Sequence, residues 1–222
     1  GIDIEVEDTG GTGPVVVLIM GLGMQLVAWP LQLVDALVAA GYRVIRHDNR
    51  DIGLSQKFDD KGVPNLLWES IKLKLGVTLR PPYSLNDMAL DTVGVIDTLG
   101  IAQAHIVGAS MGGMGTLMYD RAYPGEMDGL ILLAPYLGDK SLLREIAMAG
   151  GVADWQPGPV PASVTADNFQ RELWRHVQDW SREPAKAANV WLTYGDKDRL
   201  RKAMPLLEPV LPAANISRLS GG

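Results

Sequence analysis

Runs of apolar residues alternate with amphipathic stretches along almost the whole chain. Ile2 to Glu7 alternates apolar with acidic positions, the pattern of an edge strand. Val15 to Met20 is a charge-free, largely β-branched run, as expected of a strand buried on both faces. A glycine turn follows, then an apolar helix from about Leu31 to Ala40 closed by Gly41, and a strand from Arg43 to Asp48. Lys57 to Tyr83 is irregular, with a short helix expected near Leu66 to Leu75 and a stop at Pro81-Pro82. Ser84 opens the next helix, with Asp87 three residues on as a weaker form of the capping box. Leu85, Met88, Ala89, Val93, Ile96 and Leu99 share one face of it, and Gly100 ends it. Ala104 to Ala109 predicts a strand that runs through a glycine-rich turn into a helix reaching about Tyr123. Leu130 to Tyr136 predicts another buried strand. Asp139 to Ala188 breaks this rhythm, with helices near Lys140–Ala149 and Ala166–Trp180 around a Gly/Pro-rich middle. A strand over Asn189–Tyr194, a helix over Leu200–Leu211 and a last strand over Ile216–Leu219 complete the pattern.

Buried strands alternating with helices predict an α/β architecture, a mostly parallel sheet with helices on both faces. Residues 1–136 and 189–222 then form one core, and 137–188 reads as an inserted cap or lid. At 222 residues the chain can bury a substantial core without covalent staples. It has no cysteine, which removes disulfides, thiolate metal sites and a cysteine nucleophile; its three histidines, His47, His105 and His176, are scattered, so no metal site is expected. The net charge of −6, with no Lys/Arg stripe, opposes nucleic-acid binding. Thr9 to Val34 is uncharged but broken by Gly21, Gly23, Gln25, Pro30 and Gln32. Asp3, Glu5, Glu7 and Asp8 stand where a signal peptide is basic. The expectation is a soluble, cytoplasmic protein that does not engage a membrane, with its oligomeric state undetermined by the sequence.

The chemistry is concentrated in Gly108-Ala109-Ser110-Met111-Gly112, which fits G-x-S-x-G. Its place between a predicted strand and a predicted helix is what a nucleophile elbow requires: the glycines permit a turn tight enough to lift the serine hydroxyl above the sheet. The helix behind it points a positive dipole end at a developing anion. A serine that merely caps a helix between glycines is the alternative.

With that motif the chain resembles the α/β-hydrolase superfamily. Met20-Gly21-Leu22-Gly23 resembles the oxyanion loop usually written His-Gly-x-Gly, and Asp48-Asn49-Arg50-Asp51-Ile52-Gly53-Leu54-Ser55 resembles the D-x-R-G-x-G-x-S stretch after the next strand. Both, with Tyr83 to Met114, are similar to bacterial serine esterases of the aclacinomycin-methylesterase-like branch; Leu132 to Gly138 and the short cap are similar to other hydrolases. The resemblance implies Ser110 as nucleophile, the backbone N–H groups of Leu22 and Met111 as oxyanion hole, and Asp198, in the turn Gly195-Asp196-Lys197-Asp198, as acid. Asp139 is the substitute acid, and a solvated carboxylate is the alternative role for Asp198. Met20 replaces the usual histidine and Asp51 a family glycine; the stretch around Asp51 is read as structural. The implied activity is hydrolysis of a small-molecule carboxylic ester through an acyl-enzyme, with no metal and no organic cofactor. Carbon–carbon bond hydrolases and cofactor-free haloperoxidases share the same constellation.

The family's base is a histidine after the last strand, in a Gly-His or Gly-Gly-His turn, and the residues given end Ser220-Gly221-Gly222. The helix that usually follows is not among them either. His47 and His105 lie on predicted strands and are expected to be structural; His176, on a predicted cap helix near Trp174 and Trp180, is the remaining candidate base. A base beyond residue 222, a fragment completed by another chain, and a hydrolase-fold protein that binds without turnover are the three explanations. A dinucleotide-binding reading of Gly21-Leu22-Gly23 fails because Leu26 occupies the third glycine position and Trp29-Pro30 lies where the phosphate-facing helix should begin. Trp155, Trp174, Trp180, Leu142 and Met148 are expected either to line an apolar substrate pocket or to dock the cap on the body.

Overall fold

Seven strands pair side by side: β1 (Val6–Asp8), β2 (Val15–Ile19), β3 (Arg43–His47), β4 (Ala104–Ala109), β5 (Met127–Leu133), β6 (Val190–Gly195) and β7 (Ile216–Leu219). Their order in the sheet is β1-β3-β2-β4-β5-β6-β7. The structure is a computed structural model describing residues 1–62, 82–165 and 167–220. Only β1 runs antiparallel, Val6 opposite His47; every other pair is parallel. Parallel neighbours need a crossover, and helices supply it. These are α1 (Leu31–Ala39), α2 (Leu85–Thr98), α3 (Met111–Ala122), α4 (Lys140–Met148), α5 (Phe169–Arg182) and α6 (Met204–Leu207). The helix expected near Leu66–Leu75 lies outside the described residues.

The charge-free β2 run behaves as its composition demands. Val16 and Leu18 join Val34 of α1 and Trp29 on one face, while Val17 and Ile19 meet Val95 and Ile96 of α2 on the other. Burying each such side chain is worth roughly 1.5–3 kcal/mol, so this central strand anchors both layers. Ser84 and Asp87 form the full capping box of α2: the Asp87 amide donates to Ser84 Oγ at 3.2 Å and the Ser84 amide to Asp87 Oδ2 at 2.6 Å.

Two elements differ from the sequence reading. The strand expected over Leu130–Tyr136 occupies Met127–Leu133, because Ala134 turns to φ 42 and Pro135, which has no N–H, cannot continue a ladder. The helix expected over Leu200–Leu211 is split into a 3-10 turn (Arg199–Ala203), α6 and a second 3-10 turn (Glu208–Val210). Pro205 and Pro209 stand second in the last two pieces, within the first turn, where a missing N–H is tolerated.

Residues 137–188 share one buried cluster with α3, β5 and β6. Trp155, Trp174 and Trp180 are each 1% exposed or less and dock this segment on the body; Trp180 also borders an open cavity with Val152, Ser181 and Pro205. Leu142 is buried with them, whereas Met148 is exposed. Trp174 Nε1 donates to the Leu137 carbonyl at 2.6 Å and Trp155 Nε1 to Glu145 at 2.8 Å. Glu145 also accepts two 2.7 Å bonds from Arg171, tying α4 to α5.

Arg171, and then the Trp155 N–H, hold the Glu145 carboxyl at about 2, below its ordinary 4.5. A depressed folded-state pKa stabilises the fold fully above 4.5, and that contribution fades as pH falls towards about 2. Urea midpoints compared at about pH 6 and about pH 3 are expected to separate wild type from Glu145→Gln at the higher pH and to separate them less at the lower. Among the described residues, no helix is long and apolar enough to cross a membrane.

Candidate active site

Ser110 occupies the single residue between β4 and α3, at φ 53 and ψ −115, a conformation that L residues rarely hold and that stores roughly 1–3 kcal/mol. The glycines beside it make the turn possible. A Cβ on Gly108 would stand 2.3 Å from Thr116 Oγ1 and 2.6 Å from the Gly112 carbonyl oxygen; one on Gly112 would stand 2.3 Å from the Ile19 carbonyl oxygen. Hydrogen bonds to the neighbouring strand segment fix the turn from both sides: the Ser110 amide donates to the Leu133 carbonyl, and the Tyr136 amide donates to the Ser110 carbonyl, each at 2.9 Å. The Ser110 hydroxyl has no hydrogen-bond partner among the described residues.

Gly21 brings the loop after β2 against this serine. A Cβ at position 21 would lie 3.0 Å from Ser110 Cβ and 3.5 Å from Ser110 Oγ, so a larger side chain would crowd the hydroxyl. The next residue, Leu22, is 75% exposed, its amide without a partner among the described residues, and the Met111 amide opens α3, whose first N–H groups have no partner within the helix. The loop is held from below. Asp48, buried, accepts from the Leu26 amide at 2.6 Å and the Leu54 amide at 3.0 Å, and Asn49 Nδ2 donates to the Met20 carbonyl at 3.0 Å. Met20 fills an apolar site with Trp29. Asp51 sits at φ 69, in the left-handed region, which accounts for glycine being usual at that position; its carboxylate accepts from the Phe58 amide. Residues 48–55 therefore support the loop rather than face the serine.

Ser110 and Asp198 line one open cavity of about 640 Å³, together with Leu133, Thr193, Tyr194 and Leu200. Asp198 stands on the turn after β6, where Oδ1 accepts from the Leu200 amide at 2.7 Å. Asp139 is placed elsewhere: it caps α4, with Oδ1 accepting from the Ser141 and Leu142 amides at 2.8 and 2.9 Å, in a neighbouring recess. The structure thus brings Asp198, and not Asp139, into the serine's cavity. Tyr194, which the sequence did not single out, lines the same cavity and is fixed by Glu208 and Arg218; nothing local in the sequence signals this long-range trio.

No histidine reaches Ser110. His176 lies 2.7 Å from Asp120 and edge-on to Trp180. Asp120 is ten residues along α3 from the serine, a rise of about 15 Å, so His176 as base is corrected by the structure. His47 is buried against Thr92, 3.1 Å from its hydroxyl, and burial pushes its pKa below the usual 6.5. His105 stands near the opposite end of β4, edge-on to Tyr42. Among the described residues no three His, Asp or Glu side chains converge as a metal site.

The mostly parallel sheet with its crossover helices agrees with the comparisons. The family model for the α/β-hydrolase fold matches residues 14–202. The chain belongs to that family. Within the α/β hydrolases it is 33% identical over 95 residues to a rhodomycin D methylesterase from a Streptomyces species, a match covering 43% of this chain and 26% of that enzyme. It is 32% identical over 140 residues to a 2-hydroxy-6-oxononadienedioate/2-hydroxy-6-oxononatrienedioate hydrolase of Burkholderia vietnamiensis, covering 62% and 42%. The matched stretches thus span less than half the length of either relative. A carboxylesterase crystal structure from the thaumarchaeon Nitrososphaera gargenis superposes with a TM-score of 0.65 over 100% of this chain and 87% of that one; at 18% identity it shows the shared fold alone. The α/β-hydrolase sheet places Ser110 at the carboxyl ends of its parallel strands, where open α/β sheets hold their ligands.

Proposed function

We propose that this α/β hydrolase cleaves a carboxylic ester through an acyl-enzyme on Ser110. The observation carrying the proposal is the serine at φ 53, its hydroxyl unpartnered, with Gly21 in contact and Asp198 in the same cavity. Ser110 Oγ attacks the ester carbonyl carbon, and the amides of Leu22 and Met111 receive the oxyanion. Fixed donors of this kind supply the largest share of the barrier reduction. Collapse expels the alcohol, and water then releases the acid from the serine. The proton of Ser110 needs a base, which His47, His105 and His176 do not supply. In this reading the base is a histidine from outside residues 1–222, oriented by Asp198; Leu219, at the end of β7, lines the same cavity as Ser110 and Asp198. The esterase relative supports ester chemistry.

The missing contact between any histidine and Ser110 favours a second reading, binding without turnover. A fluorophosphonate separates the two, because it modifies activated serines only. One adduct located at Ser110 by intact mass and peptide mapping supports the hydrolase; an unmodified protein supports the binding protein. Asp198→Asn is expected to lower ester turnover by about 10³–10⁴-fold by misorienting the base. Asp139→Asn should keep its rate, because Asp139 caps a helix, and lose about 1 kcal/mol of stability at most. A turnover loss confined to Asp139→Asn would assign the acid to the wrong residue.

A further inference from the structure

Beside the serine cavity lies a second recess of about 580 Å³, lined by Tyr136, Leu137, Leu143, Arg199, Leu200 and Lys202, among others. The two adjoin. Arg199 and Leu200 line both, and Tyr136, on the wall of the second, hydrogen bonds through its amide to the Ser110 carbonyl. The lining of the second recess divides by chemistry. Leu137, Leu143, Leu200 and Ala203 make it apolar; Arg199, Lys202 and Lys140 are exposed and cationic.

Those three cations stand out against their surroundings. The chain as a whole carries 26 acids to 20 bases. Its other arginines near acids are mostly committed: Arg43 to Asp8, Arg46 to Glu7, Arg50 to Asp91, Arg171 to Glu145, Arg175 to Glu172 and Arg218 to Glu208. Arg199, Lys202 and Lys140 form no ion pair or hydrogen bond among the described residues. Asp139 shares the recess, but its Oδ1 is already engaged by two amides of α4. Three cations without a partner among the described residues stand against one carboxylate, Asp139, in this recess and leave its lining net positive; Asp198 lines the adjoining serine cavity. An apolar floor with a cationic rim fits a hydrocarbon segment ending in a carboxylate.

We infer that this recess is an acidic-tail subsite, and that the substrate is an ester carrying a free carboxylate on a short hydrocarbon arm. The inference rests on the Ser110 reading for the position of the ester, and it deepens that reading by naming the substrate class. The carboxylate meets Arg199 and Lys202 while the ester carbonyl lies at Ser110. No covalent step is added. Charge pairing at a solvated rim contributes modestly and is screened by salt, so its role is selection between charged and neutral esters rather than high affinity.

The test is binding, made independent of turnover by using Ser110→Ala. Monomethyl adipate and its neutral counterpart, methyl hexanoate, are titrated by ligand-observed NMR at low ionic strength. The charged ester is expected to bind at least about fivefold more tightly, and salt at about 0.5 M should remove the difference. Arg199→Ala/Lys202→Ala should lose the preference, Arg199→Lys should keep most of it, and Arg199→Glu/Lys202→Glu should bind the neutral ester better than the acid. Far-ultraviolet circular dichroism confirms that each exposed-site variant is folded. Equal affinity for both esters, or a preference that survives the charge reversal, would overturn the subsite. Fluorophosphonate labelling of the unaltered protein is scored separately. An adduct at Ser110 without charge preference sinks the subsite alone, and charge preference without an adduct sustains it while the hydrolytic reading falls.

Discussion

Ser110→Ala abolishes fluorophosphonate labelling and lowers any ester turnover by about 10⁴-fold or more, while its urea midpoint stays within about 0.5 kcal/mol of wild type. Both halves of this expectation come from the same geometry. The hydroxyl has no hydrogen-bond partner among the described residues, so its removal strands no donor or acceptor there. The backbone strain at φ 53 belongs to the turn and persists in alanine. Glycine behaves differently. Ser110→Gly relieves that strain and is expected to raise stability by about 1 kcal/mol while remaining inactive, a direct measure of what the turn costs. Residual labelling of Ser110→Ala at the wild-type level would place the reactive group elsewhere.

The second large effect is Gly112→Ala. Its Cβ would stand 2.3 Å from the Ile19 carbonyl oxygen and 2.9 Å from both the Ile19 carbonyl carbon and the Met20 oxygen. These are backbone atoms at the end of the central strand β2 and the start of the loop after it, and no side-chain rotation can relieve the contact. Helix α3 must withdraw, at a cost of about 3 kcal/mol, and Ser110 withdraws with it. Labelling is therefore lost together with stability. Gly115→Ala, one turn further along the same helix, has nothing within 4 Å of the new methyl group. It should instead stabilise by up to about 1 kcal/mol through helix propensity. The opposite signs of two chemically identical changes, read from urea titrations, test the packing of this helix directly.

What the sequence disclosed was local, and what it concealed was long-range. The β2 run, the Ser84–Asp87 cap and the strand–Gly-x-Ser-x-Gly–helix order depend on neighbours within a few residues, and each appears where the pattern put it. The end of β5 is masked in the sequence because Leu130 to Tyr136 remains apolar beyond Leu133, although Pro135 signals a break; the turn at Ala134 and the Tyr136 amide's bond to Ser110 are spatial facts. Pro205 and Pro209 signalled the broken helix, but the apolar spacing around them outweighed that signal in the reading. For His176 the deciding fact was its partner, Asp120, 56 residues away, which no local pattern names. The choice between Asp198 and Asp139 was likewise spatial: both cap a turn or helix start, and only one shares the serine's cavity. The basic recess was invisible for the same reason, since Lys140, at the start of the inserted segment, and Arg199, on the core beyond it, are far apart in the chain.

The paired bonds between the serine turn and the segment at the end of β5 bear on how the protein breathes. The Ser110 amide and the Tyr136 amide are both protected by partners more than 20 residues distant, across a pair of adjacent parallel strands. Neither proton can exchange with solvent through the fraying of a surface loop; both must wait for β4 and β5 to part. Their deuterium uptake should therefore follow that of the sheet's interior, slow and correlated, whereas the Leu22 amide a few ångströms away should exchange at once. The reactive turn is thus among the last parts of the molecule to open, and the loop that completes the site is among the first.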